Sequence, residues 1–354
     1  MTNLPPYIIY LCGFISAFII SIVAMPQIIR ISSRKKLFDM PDNERKLHMN
    51  IVSNLGGAGI FFAYIITSSF FLQPSGFGVW NYILASSVML FITGIIDDLV
   101  ALGGVKKIFL QLLPAFFTVY FADIRIHSLY GLFGVQELSD TASIILSISG
   151  ILLLINAFNF IDGADGLAGS MAIFCTVVLG AFLALGGNIN GASIAFSLAG
   201  ATTGFFKYNI HPAKIFMGDS GALPIGYTLS ILCLLLVNTP TQSANSLIHS
   251  DKAAFVVCLA IISVMALDSF RVLFARAFRG ISPFKGDRNH IHHYFLDSGM
   301  SNTKTILILT SANAFIIVIA LALQDYNTNI IALVIATMSF ILFALGYNFR
   351  KKKR

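Results

Sequence analysis

The sequence predicts an all-α, polytopic integral membrane protein with about eleven transmembrane helices. Three observations carry this. Of the 354 residues, 56% are apolar and only 11% charged. The mean hydropathy of +0.83 lies far outside the range of soluble globular domains. Apolar runs long enough to cross a bilayer, which takes about 20 residues as a helix, recur from end to end with short polar segments between them. No room remains for a large soluble domain, so residues 1–354 read as a single transmembrane unit.

The predicted spans are 7–29, 54–73, 80–96, 108–122, 141–158, 168–186, 192–206, 221–238, 253–270, 304–322 and 329–347. The first, Tyr7 to Ile29, lacks a basic start and a small-residue cleavage site, which makes it a spanning helix rather than a removable signal. Cys12, Cys175, Cys233 and Cys258 all fall inside apolar runs, at neither disulfide nor zinc-ribbon spacing. With the N-terminus outside, every one of the 23 lysines and arginines except Arg125 and Lys252 falls in a cytoplasmic segment. The basic tail within 349–354 is then cytoplasmic, where anionic headgroups attract it. The net charge of +7 is thus topological, and its spread over separate loops makes a poor nucleic-acid stripe. Two connections, 30–52 and 271–303, are long for links between packed helices, and long loops often carry function. Arg271 to Gly280 reads as an extension of the ninth helix.

Four polar clusters are anomalous in this setting. Asp97-Asp98 closes the third span, where two adjacent acids repel and are costly to dehydrate without a cation or donors. Alternatively they are a solvated helix end. The run from Asn156 to Gly169 contains Asn159, Asp162 and Asp165. Its two asparagines, three residues apart, share a helix face, and the glycines at 163 and 166 permit a turn that brings backbone close to a ligand. Phe216-Met-Gly-Asp219-Ser-Gly opens the eighth span, where Asp219 is either a helix cap or an oxygen ligand for a hard cation such as Mg2+. Asp287-Arg288-Asn289-His290-Ile-His292-His293 offers three imidazoles in four residues. They suit zinc or, beside Arg288 and without cysteines, a phosphate-facing surface. All four clusters fall on the cytoplasmic side of the predicted topology, in segments 97–107, 159–169, 207–220 and 271–303, which points to one shared site.

At these motifs the chain resembles the polyprenyl-phosphate N-acetylhexosamine-1-phosphate transferases, which include the phospho-MurNAc-pentapeptide transferases and the WecA-type enzymes. The Arg288-Asn-His290-Ile-His292-His293 form and the Asp39-Met-Pro41 to His48 segment look more like the WecA branch, which takes UDP-GlcNAc. The resemblance implies about eleven helices in a bacterial inner membrane. It also implies transfer of N-acetylglucosamine-1-phosphate to undecaprenyl phosphate with release of UMP, the first lipid-linked step of a cell-surface polysaccharide. The cofactor it implies is Mg2+, with Mn2+ as a substitute, and a homodimer is one assembly such an enzyme could adopt. Carried over by residue, it makes Asp219 and Asn159 the metal ligands and puts Asp98 in the phosphate site beside them. Asp97 orients or deprotonates the lipid phosphate. Asp162 counts among the catalytic carboxylates, and His290, His292 and His293 meet phosphate oxygens or sugar. Lys107 binds the pyrophosphate, Phe216 stacks on uracil, Asp165 reads its edge, and Asn209, Arg288 and Asn156 are further substrate contacts. The same reaction with another UDP-N-acetyl-sugar is the alternative. A lipid-linked-sugar transporter is the rival class, but its acids would sit near the bilayer midplane rather than at helix ends.

Overall fold

The computed structural model describes residues 4–35, 52–239, 247–280 and 288–353. The expectations for Asp39 to His48, and for Lys285, Asp287 and Arg354, lie outside the described residues. Among the described residues the chain is helical and has no strand. In order, the helices are α1 (Pro6–Lys35), α2 (Gly56–Phe71), α3 (Phe77–Val100), α4 (Gly104–Phe116), α5 (Asp140–Ile161) and α6 (Leu167–Leu185). They continue with α7 (Ile189–Asn209), α8 (Asp219–Val237), α9 (Asp251–Phe278), α10 (Ile291–Asp297), α11 (Asn302–Ala322) and α12 (Thr328–Lys353). Nine helices among the described residues are long and apolar enough to cross a membrane, with α4 prolonged by a π-helical turn to Phe121. This is an all-α polytopic membrane protein.

Eleven helices stand where eleven spans are expected, but α2 and α7 are not both long and apolar enough to cross. α2 is only 16 residues long. α7 is rich in glycine, alanine, serine and threonine. Small residues let helices approach closely inside a bilayer, and α7 packs extensively against α1 and α6.

Two boundaries differ from the sequence reading. α3 does not stop at 96 but runs through Asp97-Asp98 to Val100, so both acids project from its last turn. α4 starts at Gly104, which places Lys106 and Lys107 on a helix instead of in a loop. The expected extension of the ninth helix is present, since α9 reaches Phe278.

α8 is the axis of the bundle. Nearly all of it is buried, and it packs against α2, α3, α5, α6, α7 and α9. α1, α3, α11 and α12 expose apolar faces, with Leu11, Ile92, Leu307 and Leu333 among the exposed residues, as lipid-facing helices do. Arg125 and Lys252 both lie at the end of the bundle away from the polar clusters. There Arg125 pairs with Asp123 and Asp140, and Lys252 bonds the carbonyls of Asp325 and Tyr326.

Candidate active site

The site is built around the first turn of α8. A helix leaves its first N–H groups without intrahelical partners and carries partial positive charge there. The residue before α8, Gly218, has φ of +68° and no side chain with which to cap. A Cβ on it would also strike Asp98 and the Asn54 carbonyl. The cap comes instead from α3: Asp98 accepts the Asp219 N–H at 2.8 Å and the Ser220 N–H at 2.9 Å. Gly94, one turn earlier, makes this possible, because a methyl there would land on the Asp219 backbone.

Asp98 having turned to the cap, its neighbour Asp97 faces α4. The Lys107 ammonium lies 3.0 Å from Asp97, ion-pairs with Asp219 and is 3.5 Å from the Asn159 amide oxygen. Asn159 also donates to Asp219. One cation is thus held by oxygens from α3, α5 and α8. These side chains are mostly buried, so each charge is stable only because it is paired. An all-oxygen donor set centred on Asp219 fits a hard divalent cation. Among the described residues no three Asp, Glu, His or Cys side chains form a ready metal cluster. Such a cation would complete its shell with water and phosphate, as Mg2+ habitually does.

Beside this cluster opens a cavity of about 620 Å3 whose walls include Asp97, Asp98, Asn159, Asp162, Asp165, Phe216 and Asp219. Phe216 is held at the wall by a short backbone ladder: its N–H donates to the Ser53 carbonyl at 2.9 Å, and its carbonyl accepts from Gly56 at 3.0 Å. Asp162 caps the C-terminal end of α5. Burial, then the nearby Asp219 carboxylate, holds it well above the usual carboxylate range. Asp165 accepts from the Ala213 N–H at 3.2 Å and lies 2.7 Å from His211 Nδ1, so one of its oxygens is already engaged by the loop after α7.

The histidines are not among the walls of this cavity but pack against residues 160 and 163 beside it. The His290 ring packs against Phe160 with centroids 5.3 Å apart, and His292 sits against Gly163. The three imidazoles follow one another, His290 and His292 nearly parallel at 6.0 Å and His292 and His293 tilted by 47° at 4.2 Å. Among the described residues they belong to no group of three or more metal-ligating side chains. Both nitrogens of His292 are buried without a hydrogen-bond partner among the described residues. Burial, followed by His293, pushes His292 down to about 3, and burial lowers His293 as well.

Three of the expected substrate contacts, Asn156, Asn209 and Arg288, do not line the cavity. Asn156 is not at the cavity wall: its amide donates to Gln111 and to the Leu152 carbonyl, both at 2.7 Å, tying α5 to α4. Asn209 is buried and uses both ends of its amide, accepting from the Gly166 N–H and donating to the Ile215 carbonyl. It therefore ties the two wall loops together from behind. Arg288 pairs with Asp297 at 2.6 Å, away from the acids. The sequence reading also missed Asp268, buried on α9 and bonded to His290. The signal was an acid inside the apolar run 253–270, and an intramembrane acid is by default functional.

The profile of glycosyl transferase family 4 matches residues 80–237, which covers α3 through α8 and every acid of the cavity. Curated relatives extend the match over most of the chain. It is 30% identical over 286 residues to the decaprenyl-phosphate N-acetylglucosaminephosphotransferase of Mycolicibacterium smegmatis, covering 75% of this chain and 70% of that protein. It is 27% identical to the undecaprenyl-phosphate alpha-N-acetylglucosaminyl 1-phosphate transferase of Escherichia coli O157:H7, over 90% and 85% of the two chains. A probable undecaprenyl-phosphate N-acetylglucosaminyl 1-phosphate transferase of Bacillus subtilis is 29% identical, over 84% of this chain and 80% of its own. With the sequence match spanning the helices that build the acid-lined cavity, this chain belongs to glycosyl transferase family 4.

Proposed function

We propose that this protein transfers N-acetylglucosamine-1-phosphate from UDP-GlcNAc to undecaprenyl phosphate, releasing UMP, at the cytoplasmic face of a bacterial inner membrane. The observation that carries this reading is the meeting of Asp97, Asp219 and Asn159 around one cation beside an open cavity, at one end of a lipid-facing bundle. The names of the relatives supply the substrate class. The orientation rests on positive charge, which gathers at the cavity end and leaves Arg125 and Lys252 at the other.

The residues divide the work. Asp219 and Asn159 would hold Mg2+, which when bound neutralises the diphosphate and the charge that develops on it. Lys107, released from its carboxylates, is placed to meet the pyrophosphate. Phe216 offers a face for the uracil ring. The nucleophile is a phosphate monoester, whose second pKa is about 6, so it is already mostly dianionic and needs orientation more than deprotonation. Asp97, next to Lys107, orients it. Its oxygen forms a bond to the β-phosphorus, the bridging P–O bond breaks, and the bridging oxygen leaves with UMP.

The leaving group tests this. UDP-GlcNAc labelled in its β-phosphate should put the label into the lipid and release unlabelled UMP. Release of labelled UDP would overturn the mechanism even if sugar still reached the lipid.

A further inference from the structure

Asp268 sits within apolar α9 with its side chain only 8% exposed. A carboxylate so placed must have partners, and among the described residues they come from α9's next turn and the histidine segment. Its Oδ2 is 2.9 Å from His290 Nδ1, and its Oδ1 accepts the Ile291 N–H at 3.1 Å. Arg271 donates to Oδ1 at 2.7 Å while also bonding the Asn289 carbonyl at 2.6 Å and the Tyr294 hydroxyl at 3.1 Å. The carboxylate is therefore the hub from which residues 289–294 hang.

An ionised carboxylate only accepts hydrogen bonds, so the ring nitrogen facing it carries the proton. His290 is held with Nδ1–H toward Asp268, and Nε2 is the nitrogen left for a ligand. An imidazole backed in this way can take a second proton at Nε2 and lend an N–H to a phosphate oxygen, the carboxylate stabilising the cation that forms. The ring lies against Phe160, which falls in sequence between the cavity-lining residues Asn159 and Asp162, and its neighbour His292 packs against the lining residue Gly163.

We propose that Asp268 is a positioning residue of the reaction, anchoring His290 through Nδ1 so that Nε2–H is aimed at the diphosphate and the ring cation that donates it is stabilised. The inference rests on the phosphoryl-transfer reading above. In Asp268→Asn, the amide nitrogen would donate to Nδ1, leaving a neutral ring with a single N–H and no anion behind it to stabilise the imidazolium.

The test uses full-length enzyme in lipid nanodiscs, with kcat, KM for UDP-GlcNAc and melting temperature measured for each variant. In Asp268→Asn, kcat should fall about 10²-fold or more with KM changed less than about threefold, and the double variant with His290→Gln should be no slower than His290→Gln alone. A second pair keeps the test decisive if Asp268→Asn does not fold. A glutamine amide nitrogen stands near Nε2 and an asparagine one near Nδ1, so His290→Gln should retain at least tenfold more kcat than His290→Asn. Wild-type kcat in Asp268→Asn, multiplicative losses in the double variant, or His290→Asn outperforming His290→Gln would each overturn the positioning role. Absence of turnover by the wild type would instead defeat the phosphoryl-transfer reading, and the positioning role would fall with it.

Discussion

Asp219 and His292 are held in opposite ways, and each arrangement predicts a different response. Asp219 is matched to a cation, meeting Lys107 on one side and Asn159 on the other. Asp219→Asn keeps the shape but turns one of two acceptors into a donor that faces Asn159 or Lys107, and it removes the anionic oxygen a hard cation needs. It should abolish turnover while leaving folding and insertion intact, with melting lowered by no more than a few degrees because Lys107 keeps Asp97, and excess EDTA should silence the wild type likewise. Wild-type rates in that variant at ordinary Mg2+ would sink the metal assignment. His292 is packed against Gly163 as a neutral ring. Because burial lowers its folded pKa to about 3 from an ordinary value near 6.5, the unfolded chain binds a proton in that interval and the folded chain does not. The stability this provides is complete above about pH 6.5 and drains away as pH falls toward 3. His292→Gln, which does not titrate, should flatten that part of the pH dependence of melting in detergent. An unchanged acid slope in the variant would show that other groups carry it.

At the level of helices, the active end depends on contacts between elements distant in sequence. Asp98 caps α8 from α3, and a cap of this kind contributes about 1 kcal/mol, more when charged and partly buried. Asp98→Asn turns one acceptor into a donor that faces an N–H. It should lower melting by a few degrees and displace Asp219 enough to cut kcat. Unaltered melting would argue that Asp98 acts on substrate rather than on α8. The far end of α12 likewise braces a distant element, since Arg350 pairs with Asp297 on α10 at 3.1 Å and stacks over the Tyr294 ring. Arg350→Ala should loosen the histidine segment and lower kcat severalfold without changing the KM for UDP-GlcNAc, whereas a pure membrane-anchoring role for the tail would leave kcat intact. None of these pairings is legible in the sequence, which does reveal that Asp97, Asp98, Asn159 and Asp219 belong to one end. The reason is physical. A helix whose lipid side and core side are both apolar has no periodic face to read, so the rotation that points Asn156 at Gln111 and Asp98 at α8 emerges only from packing. Short α2 and small-residue α7 differ from the expected spans for a related reason: they owe their place to neighbours rather than to hydropathy.

For the molecule as a whole, the charge pattern and the geometry agree on which residues share an end. The loops after α3 and α5 and the start of α8, assigned to one side by lysine and arginine placement, line one cavity, and the histidine segment after α9 packs against Phe160 at the same end. Which side of the membrane that end faces is then a single binary question. The proposed answer, from positive charge, is the cytoplasm, the compartment where nucleotide-sugars are made. Cysteines at Leu99, Ala164 and Asn289 report on the loops after α3, α5 and α9 respectively. The native background is favourable, since Cys175, Cys233 and Cys258 are buried and only the half-buried Cys12 needs replacing. A membrane-impermeant maleimide should label all three introduced cysteines in inverted inner-membrane vesicles and none in intact spheroplasts. A control cysteine at Glu137, exposed in the link between α4 and α5 at the opposite end, should behave in reverse. If all four positions exchange sides, the bundle is inverted and the site faces away from nucleotide-sugars, which would remove UDP-GlcNAc as the donor. Should the three site cysteines divide between the two sides, the single cavity itself would be refuted.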